Sequence, residues 1–215
     1  TAPFAWSPTN MNREDTLPSS WMPSAGSINT PEYQDYHHLF PTIATANSHR
    51  SNRPLGEVQN VTSSYGQGKA GTNASGQSVY EPREPQKGDA ARAILYMMTA
   101  YGWAQSDLQS NGPQQALDLL VEWHLNDLPS RWETSRNDYL DSLQQNRNPF
   151  VDSAHWVCYI NFKTMQYNAN PDSACLARAG TNSSPTDTSD TSGVGTAEMM
   201  IPQIVIYPNP ARGQL

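Results

Sequence analysis

Apolar residues at helical spacing are concentrated between Lys87 and Gln145, and the rest of the chain has to be built around that block. Ala91, Ile94, Leu95 and Met98 fall on one face of a helix that follows Gly88 and Asp89, which predicts a buried stripe. Pro113 suits the first turn of a second helix whose apolar face is Leu117, Leu120 and Val121. Ser130-Arg131-Trp132-Glu133 reads as a capping box, in which the serine oxygen accepts from the amide three residues on and Glu133 reaches back. The third helix is expected to bury Trp132, Tyr139, Leu140 and Leu143, and Asn148-Pro149 to end the helical region. Trp21, Trp123 and Trp132 are read as core residues rather than stacking platforms.

The remainder is poorer in such signals. Pro, Ser and Asn break residues 1–34 into loop, with a short strand around Arg13 to Thr16, while Ile43 to His49 can form one or two helical turns. Gln59 to Ser78 holds few apolar groups and is expected to be a long surface loop. Residues 180–193 contain no large apolar side chain and read as the start of a flexible linker over 180–200. No internal repeat is present, and no run approaches the ~18 consecutive apolar residues of a membrane span. With 215 residues the chain can bury a core. The fold class is α+β, mostly helix and loop. Two cysteines, Cys158 and Cys175, form no zinc or redox signature and leave a single disulfide and two buried thiols as alternatives.

Two stretches of the front portion carry chemistry. One is Asn12-Arg13-Glu14-Asp15-Thr16-Leu17-Pro18-Ser19-Ser20-Trp21; the other is Asp35-Tyr36-His37-His38-Leu39-Phe40-Pro41-Thr42, running on to Asn47-Ser48-His49-Arg50-Ser51-Asn52. Further blocks follow in order: Arg53 to Val58, Glu81-Pro82, Lys87 to Met97, Trp123-His124, Asp127 to Ser130, Arg136-Asn137 and Asn146 to Asp152. Over about residues 12–160 the chain resembles the bacterial endonuclease I family, whose motifs read N-R-E-H-T-x-P-x-S-W and D-L-H-H-L-F-P-T followed by V-N-x-x-R-S-N. Where the family has its catalytic histidine this chain has Asp15.

The resemblance implies a ββα-metal (His-Me finger) arrangement over residues 1–179, in which a short hairpin and a helix clasp one divalent ion. It also implies a further strand-and-helix portion ahead of the first motif, where this chain has eleven residues, so the N-terminal part of the fold is expected to be missing. Carried over by motif, Glu14 and Asn47 are the protein ligands of Mg²⁺, or of Mn²⁺ or Ca²⁺. Oxygen ligands suit such hard cations and leave positions for water and phosphate. Asp15 stands in the place of the base that activates water; a carboxylate, with a reference pKa of about 3.9 against about 6.5 for imidazole, is the weaker base near neutrality. Arg50 is a candidate for phosphate binding or for a structural ion pair, with Arg13 and Arg92 behind it. His37 and His38 are expected to pack and to hydrogen-bond around the site, and His49 to face solvent.

A net charge of −7 speaks against a nucleic-acid ligand, but residues 1–100 hold seven Lys or Arg against eight Asp or Glu, so the part carrying the proposed site is nearly neutral. No nucleophile elbow or glycine-rich phosphate loop offers another hydrolase or nucleotide-binding reading. The expected function is therefore a secreted or cell-surface, metal-dependent endonuclease. It would be monomeric and cut DNA, with RNA as a further substrate, without much sequence preference. The alternative is a catalytically impaired homologue serving as a nucleic-acid-binding or surface module. Ile204-Val205-Ile206-Tyr207-Pro208-Asn209-Pro210 resembles the opening of a C-terminal sorting domain of the type IX secretion system, placed at 201–215, which implies that machinery as a partner.

Overall fold

A fifteen-residue helix rich in Ala and Met, Lys87–Tyr101, runs through the middle of the molecule with ten of its residues buried. The computed structural model describes residues 10–24 and 26–180, so the linker and sorting-domain readings lie outside the described residues. In chain order the elements are β1 (Met11–Asp15), α1 (Pro31–Gln34), β2 (Leu39–Ile43), α2 (Ala44–Arg50), β3 (Asn60–Tyr65), β4 (Gly68–Thr72) and β5 (Ser78–Glu81). They continue with α3 (Lys87–Tyr101), α4 (Leu117–Asn126), α5 (Arg131–Gln144), α6 (Pro149–Asp152), β6 (Ile160–Asn161), β7 (Gln166–Tyr167) and α7 (Ser173–Ala179).

The predicted stripe of Ala91, Ile94, Leu95 and Met98 is fully buried and joins Leu17, Trp21 and Met22 from the front, Leu120 and Trp123 from α4, and Phe150 from α6. Each such Leu, Ile, Met or Phe contributes about 1.5–3 kcal/mol by leaving water. The front segment is thereby anchored to the helical core just behind β1. Cys158 and Cys175 are bonded, with Cα atoms 5.9 Å apart, and tie the turn before β6 to α7.

Three expectations are corrected. Pro113 does not open the second helix; it sits in a separate 3-10 turn, Gly112–Gln114, and α4 begins at Leu117. The break is Gln115, whose buried amide accepts from Leu55 N at 2.8 Å and donates to Leu55 O at 3.0 Å, which holds the chain extended there. Nor do Trp132, Tyr139 and Leu143 go inside: they are 58%, 63% and 53% exposed, and of the predicted face only Leu140 is buried. The inward stripe of α5 is instead Glu133, Asn137 and Leu140. Glu133 receives two bonds from buried Arg92, at 2.6 and 2.8 Å, and Asn137 donates to Asn148 O and Asp152. The capping box forms as read.

The third correction concerns Gln59 to Ser78, which is no loop. It supplies β3 and β4 and leads into β5, and the three make an antiparallel sheet in that order. Its strands are Ser-, Thr- and Gly-rich and bury only Ala70 and Val79 among their hydrophobics, so the apolar alternation that marks a strand is faint. Gly66 at φ +59° makes the tight β3–β4 turn.

Candidate functional site

β1 and β2 pair antiparallel with Glu14 opposite Phe40 and Asp15 opposite Leu39. The chain passes from β2 into α2 without a loop, since Ile43 ends one and caps the other. Asn47 Nδ2 donates to the Arg13 carbonyl at 3.2 Å, so the middle of α2 is bonded to β1 one residue from Glu14. Asn47 Oδ1 has no donor among the described residues.

One helical turn beyond Asn47, Arg50 turns inward. Its Nη2 donates to Thr16 O at 2.6 Å, its Nη1 to Ser51 O at 3.0 Å, and its Nε lies 3.6 Å from Glu14 Oε1. Nε is buried without a hydrogen-bond partner among the described residues. As placed, Arg50 serves the ion-pair side of the alternative read from sequence. Burial pushes the Glu14 carboxyl above its ordinary value, Arg50 pulls it down, and neighbouring Asp15 pushes it up again. One guanidinium thus only partly compensates a carboxylate removed from water.

The Asp15 carboxylate turns to the chain ahead of it: Oδ2 accepts from Ser19 N at 2.7 Å and closes the bend into the 3-10 turn Ser19–Trp21. The two adjacent histidines each face a main-chain carbonyl, His37 Nε2 with Asn146 O at 3.2 Å and His38 Nε2 with Glu32 O at 3.0 Å. A carbonyl only accepts, so both Nε2 atoms carry the proton. Burial pulls His37 down and His38 down to about 4, so both are neutral near pH 7. His38 is fully buried, which removes it as a stand-in for the histidine absent at position 15.

Other groups were not legible beforehand. Asp35 accepts from His37 N, Tyr96 Oη, Tyr101 Oη and Gln144 Nε2, and so fixes the turn that carries the histidine pair. Arg136 donates to Tyr36 O and Leu39 O and lies 4.3 Å over the Phe40 ring, bracing β2 from α5. Tyr80 of β5 is close enough to Glu14 and Arg50 to feel both charges. Arg13 is exposed, with its guanidinium 4.2 Å from the Tyr33 ring centre. Arg92 is committed to Glu133, Asp89 and the Asp127 carbonyl, far from solvent. His49 is half-buried, its ring 6.0 Å from that of Tyr65.

The two motifs, which thirteen residues separate in the sequence, are thus brought together by one hairpin and one helix. The family described as Endonuclease I matches residues 5–155. The chain belongs to the endonuclease I family. Among relatives within reach of this endonuclease I chain are a periplasmic deoxyribonuclease of Aeromonas hydrophila, 32% identical over 118 residues covering 55% of this chain and 47% of the relative. An extracellular ribonuclease of Bacillus amyloliquefaciens is 34% identical over 150 residues, 64% of this chain and 50% of its own length. An extracellular deoxyribonuclease of A. hydrophila is 31% identical over 118 residues, 55% and 48% respectively. The chain spans about half the length of these relatives.

Proposed function

We propose that this chain forms the metal-holding part of a secreted, divalent-metal-dependent endonuclease with a ββα-metal fold, hydrolysing phosphodiester bonds in DNA and RNA. The observation that carries the reading is the bond from Asn47 to the Arg13 carbonyl, which ties α2 to β1 one residue from Glu14. Relatives named as deoxyribonucleases and ribonucleases, extracellular or periplasmic, support the substrates and the location. Delivery by the type IX machinery would rest on residues 201–215, outside the described part, and action as a monomer belongs to the same proposal.

The residues fit a hard cation. Glu14 is a desolvated carboxylate only partly balanced by Arg50, and Asn47 offers an amide oxygen; among the described residues no three His, Cys, Asp or Glu side chains form a self-sufficient cage. Two protein oxygens suit Mg²⁺, Mn²⁺ or Ca²⁺ sharing its remaining positions with water and phosphate. Such an ion, once bound, supplies charge neutralisation at the scissile phosphate and the leaving oxygen. Arg50 orients Glu14, exposed Arg13 is placed to meet a phosphate, and Asp15 offers its second carboxylate oxygen as proton acceptor.

The bond from Ser19 N to Asp15 favours a second reading, an impaired homologue in which Asp15 is a turn residue and the surface only binds nucleic acid. Nicking of supercoiled plasmid by wild type and Glu14→Ala, with Mg²⁺, Mn²⁺ or Ca²⁺ and with EDTA, separates the two. Metal-dependent nicking lost in Glu14→Ala supports the first reading; binding without nicking supports the second.

A further inference from the structure

A groove of about 560 Å³ runs between the start of α4 and the β6–β7 hairpin, and none of its lining residues belongs to β1, β2 or α2. Its volume falls within the ~300–1,000 Å³ usual for small-ligand clefts. Leu117 and Phe162, both buried, line its floor. Tyr167 lines it too, 55% exposed and stacked on Tyr159 with the ring planes 7° apart. Trp156 and His155 continue the aromatic run beyond Tyr159. The hairpin is held stiffly, because the Cys158–Cys175 bond closes the segment that contains it and Asn168 N donates to Tyr159 O at 2.7 Å. Beside the tyrosine the groove presents amides. Asn161 and Asn168 each give the side-chain oxygen to a main-chain amide, of Lys163 and Asn170, both at 3.1 Å, which fixes them and leaves their Nδ2 donors to solvent or a ligand. Exposed Gln166 makes no side-chain bond among the described residues.

We propose that this groove binds an uncharged saccharide, with the Tyr167 ring against the C–H face of a sugar and the amides of Asn161, Gln166 and Asn168 on its hydroxyls. A sugar ring is apolar on its faces and carries hydroxyls around its edge. The negative face of an aromatic ring attracts polarised C–H groups, and an amide offers a donor and an acceptor in one plane, which suits a hydroxyl that is both. Charge selects against a polyanion. Lys163 is the single Lys or Arg of the lining among the described residues, and Asp118 takes it at 2.7 Å. Helix α4 adds Glu122 and no Lys or Arg, so a chain of phosphates would meet no unpaired cation on that bank. A neutral glycan loses nothing there. The groove would hold the protein on a polysaccharide surface whether or not the β1–α2 region cuts phosphodiesters, so the inference stands apart from the reaction proposed above.

The test is calorimetric titration of the full chain, as wild type, Tyr167→Ala and Gln166→Ala, with maltohexaose, cellohexaose, xylohexaose, mannohexaose, chitohexaose and a short single-stranded oligodeoxynucleotide. Melting curves are recorded for each protein. Wild type is expected to bind at least one of the sugars saturably. Tyr167→Ala should weaken that binding by about tenfold or more, the scale of an aromatic contact with the area it covers. Gln166→Ala should weaken it by about two- to tenfold, the scale of one neutral hydrogen bond. Because Gln166 is exposed and its side chain bonds to nothing among the described residues, Gln166→Ala should melt with wild type, and it decides the matter should Tyr167→Ala lose its fold. A wild type that binds none of the sugars overturns the proposal, as does sugar binding that both variants retain in full. Oligodeoxynucleotide binding weakened by the same variants, with no sugar bound, also overturns it and gives the groove to single-stranded nucleic acid.

Discussion

In the proposed reaction Asp15 joins stability and chemistry in one side chain, and substitutions there should separate them. Its carboxylate accepts the Ser19 amide at 2.7 Å, a bond of the kind that ends helices and turns. Removing such an acceptor costs about 0.5–2 kcal/mol, and for a chain of this size about 1 kcal/mol corresponds to roughly 2–4 °C in melting temperature. Asp15→Asn keeps an oxygen for Ser19 and should melt within about a degree of wild type, while any proton abstraction by the carboxylate disappears. Asp15→His should lose stability by roughly 1 kcal/mol and at the same time gain a base titrating near neutrality. General-base catalysis at its low end is worth about 10²-fold, close to 2.7 kcal/mol of barrier. The two consequences therefore have opposite signs and comparable size. Calorimetry gives the first, and plasmid nicking followed from about pH 5 to 9, spanning the imidazole range, gives the second. A wild type already as fast as Asp15→His would refute the assignment of position 15 as the seat of the base. Inactivity of every variant would favour the binding-only reading.

Glu14→Ala should abolish metal-linked stabilisation, which in wild type reaches about 2.7 kcal/mol at a hundredfold excess over Kd; equal Mn²⁺ binding by both proteins in titration calorimetry would refute the ligand assignment. Glu133→Ala takes two charge-assisted bonds from the buried Arg92 guanidinium, leaving it Asp89 and the Asp127 carbonyl, and should cost about 2–3 kcal/mol in urea unfolding. Replacing Cys158 and Cys175 by Ser opens a bridge across 17 residues and should cost about 3 kcal/mol by the same measurement. Burial and the neighbouring Glu133 push Asp89 from 3.8 up to about 7, so its contribution is present below its unfolded pKa and is lost as pH rises through about 7. Asp89→Asn should therefore remove a decline of stability that runs from about pH 4 to about pH 7, while the opposing acid limb remains. That limb is set by His38 and His124, lowered from 6.5 to about 4, whose stabilisation is lost as pH falls through that range.

What could be read ahead depended on whether a residue's neighbours in space are also its neighbours in sequence. Helix α3 buries four apolar residues on a regular spacing, and Ser130 meets Glu133 three positions away, so both were legible. The strand near Arg13 and the helical turns after Ile43 were legible from their own residues, and the hairpin that joins them was implied by the family resemblance. Helix α5 turned the other way because its inward face is Glu133, Asn137 and Leu140, and the residue that makes a buried Glu133 tolerable is Arg92, 41 positions earlier. An apolar count cannot register such a pair. The β3–β5 sheet was missed for a related reason: its strands are held by main-chain bonds to one another and bury little. Asp35 draws on tyrosines 61 and 66 positions away, and Tyr80 comes to feel the Glu14 charge only once that sheet exists.

The bond from Asn47 to the Arg13 carbonyl makes position 47 unusually intolerant of drift. An amide carries a donor and an acceptor on one short plane. Here the donor holds α2 against β1, and the acceptor is left over. Aspartate would set a negative oxygen against that carbonyl, glutamine would arrive one methylene too long, and serine would fall short. If Asn47 holds the cation as proposed, a lineage could not tune that affinity here while keeping the junction intact, or repair the junction while keeping the affinity. Change would have to come from Glu14 or Asp15, and position 15 is where this chain departs from the histidine that the resemblance implies.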